Sequence, residues 1–447
     1  MLHASRTFLG LAALLGIMAV ACVNPAMDTP VATSPAASTE IRGDIGQVDR
    51  IAFVSPNGDL FTVDPDGGGL AQLTGGIQAG PGTGGGGQAQ TLRLNEYYAW
   101  PTWSADGTKL AASRVIDGDA RTEISLQVMD ARTGRSETVY DNDLAGLVAD
   151  GAPHYIYWAP LGDALSFLAS TPDGLSLFVW DGTPGNPAAL VDRGAPLYYQ
   201  WSKDASSMAL HIGPDVTLAK PPAGDGPRQT IGSAVGFRVP AISPDGASLA
   251  YVAVSDASSG LYISSVDDLS QARKIMDVGP VSAFLWSPDG THLLVGDQSN
   301  PRVPFFDRLI LVPVGDGPLT TLSTEGVLAF YWAPTGDKLA WVAVNSAQQE
   351  MEWVVSSKDR SDVKRLFSFK PSGEVFIMLS FFDQYAHSHS PWSPDGKSLV
   401  VAGSKGEAAR RSNGRTPTGD RVYVLDAEGG AAPRDIGAGI LAFWSWN

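Results

Sequence analysis

The chain has 447 residues, among them 50 glycines, 31 prolines and 12 tryptophans, and only 17% of its residues are charged. This composition is rich in turn-forming and aromatic residues, which excludes general disorder and a coiled coil. The formal net charge of −16 disfavours nucleic acid as a partner, and the single cysteine excludes an internal disulfide framework and a multi-thiolate metal site.

Residues 1–21 have the features of an export signal peptide. Arg6 provides a positive charge, and the uncharged apolar run that follows is too short for a comfortable membrane span. Ala19, Ala21 and Cys22 come next and resemble a bacterial lipobox, in which the cysteine receives a diacylglycerol group. Ala19 stands where leucine is usual, and ordinary signal peptidase would cut the same bond, so either route exports the chain. The resemblance implies that Cys22 is lipidated and holds the protein on a membrane, in the periplasm or at the cell surface.

Residues 22–46 are dominated by proline, alanine, serine and threonine, with neither strand alternation nor a helical period. Pro25, Pro30 and Pro35 disfavour a helix. We therefore predict an extended, lipid-anchored linker that holds the following domain away from the membrane surface.

The remaining chain, residues 47–447, is built from one repeated unit. Each unit carries a tryptophan followed by a tight turn of the type Ser-Pro-Asp-Gly, here called the Trp-turn motif, which recurs at intervals of 41 to 60 residues. Seven of the 12 tryptophans begin such a motif. The motifs begin at Trp103, Trp158, Trp201, Ile242, Trp286, Trp332, Trp392 and, as a partial copy, Trp444.

Each unit has the pattern of four short antiparallel strands. An apolar strand leads into the Trp-turn motif, Pro-Asp-Gly supplies a turn, and an alternating strand follows. A third strand ends in aspartate, as in Leu60–Asp64, and a glycine-bearing turn leads to a short fourth strand. With no helical pattern between the units, the sequence predicts an all-β protein made of four-stranded propeller blades.

The Trp-Ser-Pro-Asp-Gly motifs and the closing Gly-Gly-x-x-x-Leu-Thr at Gly67, Gly68, Leu73 and Thr74 resemble the WD-like repeats of TolB-type β-propellers. The resemblance implies a single TolB-like β-propeller over residues 47–447. The small α/β domain that precedes the propeller in TolB has no counterpart in the linker. A TolB role in an envelope-spanning complex is therefore not implied.

The two ends of the repeat region complement each other. Residues 51–75 contain the second to fourth strands of a blade without a first strand, whereas residues 438–447 contain only a first strand. We predict that the N-terminal and C-terminal strands pair and close the ring, which would remove exposed strand edges. This gives eight blades, or seven if the unit between Trp201 and Ile231 is not a full blade.

Residues just before several Trp-turn motifs predict a binding surface at the rim of the central channel. Aromatic faces with a few hydrogen-bonding groups suit a protein or glycan ligand. The alternative is that these side chains fill the channel and pack between blades. The candidates are Glu96, Tyr98, Trp100, His154, Tyr155, Tyr198, Tyr199, Arg238, Tyr385, His387 and His389.

His387 and His389 also raise the possibility of a metal site. If residues 381–392 are extended, both rings point to the same side, with Cα atoms about 7 Å apart. Asp383 or His154 would supply a third ligand. The alternative is a hydrogen-bonded pair, and we expect neither a metal nor a cofactor.

The sequence contains no nucleophile elbow, Walker loop, dinucleotide fingerprint or H-E-x-x-H motif. It therefore favours a non-catalytic, lipid-anchored, extracytoplasmic β-propeller that binds an envelope protein or glycan through its channel rim. Two alternatives remain open. One is a metal-assisted hydrolase or lyase of envelope saccharides or lactones, and the other is a structural scaffold of a surface complex.

Overall fold

The computed structural model describes residues 49–75, 96–117, 122–141, 153–221, 226–232, 239–255, 258–345, 350–406 and 419–446. All of them belong to the unit that spans Ile41–Asn447. Cys22, Arg238 and the predicted signal and linker lie outside the described residues.

Regular structure in the described residues consists of 31 strands and two short helices. In chain order these are β1 (Ile51–Val54), β2 (Leu60–Val63), β3 (Ala71–Gln72), β4 (Glu96–Trp103), β5 (Lys109–Asp117), β6 (Thr122–Asp130), β7 (Ser136–Asp141), β8 (His154–Trp158), β9 (Leu165–Thr171), β10 (Gly174–Trp180), β11 (Ala189–Arg193), β12 (Leu197–Trp201), β13 (Met208–Ile212), β14 (Asp215–Ala219), β15 (Arg228–Thr230), β16 (Ala241–Ile242), β17 (Ser248–Ser255), β18 (Ser258–Ser265), β19 (Arg273–Val278), β20 (Val281–Trp286), β21 (His292–Gln298), β22 (Arg308–Pro313), β23 (Thr320–Ser323), β24 (Val327–Trp332), β25 (Lys338–Asn345), β26 (Glu350–Ser357), β27 (Val363–Pro371), α1 (Gly373–Ser380), α2 (Phe382–Tyr385), β28 (Ser398–Lys405), β29 (Arg421–Asp426), β30 (Arg434–Ala438) and β31 (Leu441–Trp444).

The strands form antiparallel sheets that follow the repeat. Five four-stranded sheets are β4–β7, β8–β11, β12–β15, β16–β19 and β20–β23, here called blades 1 to 5. Strands β24–β30 form one seven-stranded sheet that contains blade 6 (β24–β27) and blade 7 (β28–β30). Trp392 adds a single bridge to Leu399 of blade 7. The predicted all-β propeller architecture is confirmed.

Blade 8 is assembled from both ends of the described chain. Strand β31 pairs antiparallel with β1, and β2 and β3 complete the sheet. The register places Ile51 opposite Trp444 and Val54 opposite Leu441. The pairing of the two terminal strands is therefore present, whereas closure of the whole ring stays a prediction.

The turns of the Trp-turn motifs are held by their own side chains. In blade 5, the hydroxyl of Ser287 donates to Oδ1 of Asp289 at 2.5 Å, and the backbone N–H of Thr291 donates to the same oxygen at 3.0 Å. Gly290 follows with φ +69°, a conformation that favours glycine. The motifs that begin at Trp103, Trp201, Ile242 and Trp392 have the same Ser–Asp hydrogen bond. These aspartates therefore form turns.

Five motif tryptophans join neighbouring blades through their indole N–H groups. Each donor lies in one blade, and its acceptor is the backbone carbonyl of the residue that precedes the neighbouring motif. For Trp201 of blade 3, the hydroxyl of Ser166 in blade 2 relays the bond, since Trp201 donates to Ser166 at 2.8 Å and Ser166 donates to the carbonyl of Tyr157 at 2.8 Å. The direct bonds are Trp103 to Phe443 (3.4 Å), Trp158 to Thr102 (3.2 Å), Trp286 to Ala241 (2.8 Å) and Trp332 to Leu285 (3.3 Å).

Blades 6 and 7 share a sheet because β27 pairs with β28. Phe369 lies opposite Lys405 and Pro371 lies opposite Gly403. A Cβ atom on Gly403 would lie 2.3 Å from the carbonyl oxygen of Lys370, so glycine permits this close approach. The pairing of β27 with β28 therefore joins blades 6 and 7 into one sheet, and the chain continues from β27 into α1.

The two helices differ from the sequence expectation, which contained no helix between blades. Within the described residues, neither helix reaches the length and apolar content that a membrane-spanning helix needs.

Candidate functional site

An insertion of residues 372–391 separates blades 6 and 7 and contains both helices. Ser372 begins it as the N-cap of α1: its hydroxyl oxygen accepts a hydrogen bond from the backbone N–H of Val375 at 3.1 Å. The same hydroxyl donates to the carbonyl of Ile440, which connects the insertion to blade 8. Helix α2 contacts β12, β20 and β24, the innermost strands of blades 3, 5 and 6. The insertion therefore lies in the central channel that the innermost strands surround.

Phe382 fills the channel on the side of blades 5 and 6. Its ring centroid lies 4.5 Å from that of Phe330, 5.8 Å from that of Tyr331 and 6.0 Å from that of Phe306. Burial, together with the neighbouring carboxylate of Asp383, raises the pKa of Tyr331. This part of the channel is an apolar aromatic cluster.

Tyr385 fills the channel on the side of blades 1 and 2. Its ring stacks on Trp100, with centroids 5.2 Å apart and planes inclined by 17°. The rings of Tyr155 and His389 lie 4.9 Å and 5.2 Å from it. Tyr385 is 3% exposed, and burial raises the pKa of its hydroxyl. One side chain of the insertion thus holds two blades together.

Trp100 and Tyr155 have left-handed backbone conformations, with φ of +56° and +49°. Each lies three residues before its Trp-turn motif, and each sits at a β-bulge in the innermost strand of its blade. A non-glycine residue carries a steric penalty in this conformation, so the surrounding structure must maintain it. The two bulges bring both rings into contact with Tyr385.

The extended conformation considered for residues 381–392 is not found. Phe382–Tyr385 is helical, and the backbone N–H of His389 donates to the carbonyl of Tyr385 at 2.9 Å. A segment inside the channel has no neighbouring strand to pair with, so its backbone must form local hydrogen bonds. The spacing that placed His387 and His389 on one side of a strand does not apply.

His387 and His389 instead have separate partners. The amide NH₂ of Gln200 donates to Nε2 of His387 at 2.9 Å, and the His387 ring stacks on Tyr157 at 6.5 Å. Nδ1 of His389 lies 2.6 Å from the hydroxyl oxygen of Ser388. Burial lowers the pKa of His387 to about 4 and that of His389 to about 3. Both imidazoles are therefore neutral at pH 7.

No group of three or more His, Cys, Asp or Glu side chains in the described residues is arranged to hold a metal ion. Asp383 is 8% exposed and lies near the hydroxyl groups of Tyr155 and Tyr331, whose pKa values rise mainly through burial and further through this carboxylate. The three weak metal candidates, Asp383, His387 and His389, are thus parts of the packed channel.

A polar cluster lies at the start of β4, where the chain passes the turn between β1 and β2 of blade 8. Nε of Arg114 donates to Oε1 of Glu96 at 2.7 Å, and the hydroxyl of Tyr98 donates to the same oxygen at 3.3 Å. Burial, together with the charge of Glu96, raises the pKa of Tyr98 to about 12. The backbone N–H of Tyr98 donates to the carbonyl of Gly58 at 2.8 Å. The cluster therefore has a fixed geometry between blades 8 and 1.

The rim candidates divide into two groups by exposure. Glu96, Tyr98, Trp100 and His154 are half-buried. Together with Arg114 they form what we call the rim cluster. Tyr155, Tyr198, Tyr199, Tyr385 and His389 are fully buried, and His387 is half-buried within the insertion.

Two of the buried candidates serve the contacts between strands. Tyr198 packs on His211 with ring centroids 5.8 Å apart, and the hydroxyl of Tyr199 donates to the carbonyl of Tyr155. The structure thus brings Tyr155, Tyr385, His387 and His389 together in the channel, while Tyr198 packs within blade 3.

Several functional residues of this region were not among the sequence candidates. Arg114 and Gln200 lie inside ordinary strands and carry no motif. The helices had one local signal, a serine at Ser372 followed by Glu374 in the first turn and an apolar run without alternation. The longest interval between Trp-turn motifs, from Trp332 to Trp392, was a second signal for an inserted element.

The chain matches no protein-family model, and no curated protein matches its sequence significantly. Solved structures that resemble it include a eukaryotic initiation factor, with a TM-score of 0.51 and 13% identity over 89% of this chain and 99% of that chain. Prolyl endopeptidases match with a TM-score of 0.51 and 12% identity over 79% of this chain and 51% of that chain. TolB from Acinetobacter baumannii matches with a TM-score of 0.39 and 16% identity over 76% of this chain and 84% of that chain. At these identities the likeness shows the β-propeller fold alone.

Proposed function

We propose that the chain is a non-catalytic, lipid-anchored β-propeller that works outside the cytoplasm and binds a protein or glycan ligand through its rim cluster. The observation that carries the proposal is the division between a filled channel and a half-buried rim. The insertion occupies the channel with buried aromatic rings, while Glu96, Tyr98, Trp100, Arg114 and His154 remain partly accessible.

The contacts of the two histidines favour binding over metal-assisted hydrolysis. His387 is engaged by Gln200, and His389 is paired with Ser388 and packed against Phe443 at 4.5 Å. A substrate or metal would have to break these contacts to reach either imidazole. Metal analysis of the purified protein separates the two functions: one equivalent of tightly bound metal that is lost in a His387→Ala, His389→Ala variant would support the hydrolase.

The membrane anchor is supported by the sequence features of residues 1–46. Metabolic labelling of cells with a radioactive fatty acid tests it. We expect label in the wild-type protein and none in a Cys22→Ser variant, and equal labelling of both would contradict lipidation.

Crosslinking in intact cells, followed by purification of the tagged full chain, tests the rim. We expect a partner to be recovered with the wild type and lost with a Tyr98→Ala, His154→Ala variant. Leu161→Ala is the matched control, because Leu161 is 61% exposed in the turn that follows Trp158 in blade 2, at the other end of β8 from His154. An unchanged partner profile for the rim variant would overturn the proposed surface.

A further inference from the structure

We infer that the rim cluster binds a neutral saccharide, with Trp100 as the stacking surface and Glu96, Arg114 and Tyr98 as its hydrogen-bonding groups. This inference rests on the proposed function, which leaves a protein and a glycan open as ligands. Of these two ligand classes, it selects the glycan.

Trp100 is held in one position before any ligand arrives. One contact is the stack on Tyr385 at 5.2 Å, and the other constraint is the bulge that fixes its backbone at φ +56°. A pre-fixed indole loses little rotamer entropy on binding, which favours stacking against the apolar face of a sugar ring.

The strain at this position is confined to the blades that carry the rim cluster. Among the described residues, left-handed non-glycine residues three positions before a Trp-turn motif occur only at Trp100 and Tyr155. The equivalent positions Ala283, Ala329 and Leu441 are not among the residues with positive φ. Strain of this kind is concentrated at ligand sites.

The polar groups suit a ligand that both donates and accepts hydrogen bonds. The carboxylate of Glu96 accepts, the guanidinium of Arg114 donates, and the two charges compensate each other across a contact of 2.7 Å. Their side chains are 39% and 33% exposed. Vicinal sugar hydroxyls complement such a pair, whereas a charged ligand of either sign meets one like charge.

The geometry of β4 places stacking and hydrogen-bonding groups in a row. Glu96 and Tyr98 are alternate residues, about 7 Å apart along the strand, and Trp100 follows them at the bulge. Tyr98 pairs directly with Arg114 across the sheet. The hydrogen-bonding groups of Glu96 and Tyr98 therefore lie on the same strand as the stacking ring, immediately before it in the sequence.

Two observations argue against the other ligand classes. The chain carries a net charge of −16, which repels polyanionic glycans. A peptide that adds to β4 as a strand needs free backbone groups, but the N–H of Tyr98 already donates to the carbonyl of Gly58. A neutral saccharide is not repelled by the net charge and does not need free backbone groups.

The experiment uses the purified full chain on an array of immobilised neutral, uronic-acid and sulfated oligosaccharides. Titration calorimetry with the best neutral oligosaccharide then gives Kd for the wild type and the variants. We expect Trp100→Ala and Glu96→Gln each to weaken binding about tenfold, which corresponds to the loss of one stacking or charged hydrogen-bond contact. Trp100→Phe retains a ring and is expected to weaken binding less than Trp100→Ala. Phe376→Ala is the control, because Phe376 is 42% exposed on α1 and outside the rim cluster.

Binding to no neutral oligosaccharide, or to anionic ones only, overturns the inference. Binding of a neutral oligosaccharide that Glu96→Gln leaves unchanged also overturns the inference. Because Glu96 is half-buried at the surface, this variant keeps the test valid if Trp100→Ala fails to fold. Loss of a crosslinked partner in the Tyr98→Ala, His154→Ala variant, combined with no saccharide binding, would retain the rim as a binding surface and reject the saccharide.

Discussion

Trp100 and Tyr385 stack face to face, 5.2 Å apart, although 285 positions separate them in the sequence. Trp100 belongs to blade 1 and Tyr385 to the insertion between blades 6 and 7. This single contact connects the half-buried rim with the buried contents of the channel. Stability of the channel and accessibility of the rim are therefore linked through one pair of rings.

Removing Tyr385 should destabilise the protein strongly. We expect Tyr385→Ala to lower the free energy of unfolding by about 3 to 5 kcal/mol, because a buried ring with three aromatic neighbours leaves a cavity. Phe376→Ala on the same insertion should cost less than about 1 kcal/mol, because Phe376 is 42% exposed. Urea unfolding of both variants makes the comparison, and equal losses would show that Tyr385 is not in the channel core.

A second prediction concerns the indole hydrogen bonds between blades. Trp158 donates to the carbonyl of Thr102, whereas the buried indole nitrogen of Trp392 has no hydrogen-bond partner in the described structure. We expect Trp158→Phe to cost about 1 kcal/mol more than Trp392→Phe, because only the first substitution breaks a buried hydrogen bond. Unfolding midpoints in urea measure the difference. A larger loss for Trp392→Phe would contradict the role assigned to these bonds.

Acid should destabilise the fold before most carboxylates titrate. The folded-state pKa values of His387 and His389, about 4 and about 3, lie below the usual value of 6.5, so the unfolded chain binds protons first as the pH falls. The free energy of unfolding should therefore decrease by about 3 to 4 kcal/mol in total between pH 7 and pH 5 through these two groups.

Substitution isolates this contribution. A His387→Gln variant, which keeps a hydrogen-bonding group for Gln200, should lose about half of the pH dependence over the same interval. His292→Gln is the control, because His292 begins β21 in blade 5 and lies outside the insertion. Identical pH dependence in the wild type and His387→Gln would show that His387 is solvated or charged in the folded protein.

The C-terminal strand should be required for stability. Deleting residues 438–447 removes β31 and with it the buried side chains of Leu441, Phe443 and Trp444, which cover β1. We expect the free energy of unfolding to fall by more than about 5 kcal/mol, since each lost side chain contributes about 2 to 5 kcal/mol. A truncation after Ser445 keeps β31 and serves as the control. If the longer truncation melts at the same temperature as the full chain, the terminal strands do not complete a blade.

The blade architecture was predictable because its signals are local. Ser287, Asp289 and Gly290 form their turn from within five residues, and the same chemistry recurs in most of the Trp-turn motifs. The pairing of β1 with β31 followed from counting strands at the two ends. Neither inference needed knowledge of distant side chains.

The channel contents were not predictable in the same way. Helix α1 depends on a cap whose hydroxyl also bonds Ile440, 68 residues away, and α2 is stabilised by rings from four blades. The left-handed conformations of Trp100 and Tyr155 arise from bulges that the residue types at these positions do not predict. Residue type therefore indicates many of the correct aromatic side chains but does not separate the buried ones from those at the rim.

Hydrogen–deuterium exchange of the insertion tests the central claim most directly, because binding at the rim presupposes a filled channel. The backbone N–H groups of Gln384, Ser388 and His389 are hydrogen-bonded to the carbonyls of Phe381 and Tyr385 inside the channel. Peptides that cover residues 381–389 should exchange as slowly as those of the innermost strands β20 and β24. Exchange as fast as in the exposed turn around Leu161 would show that the channel is open.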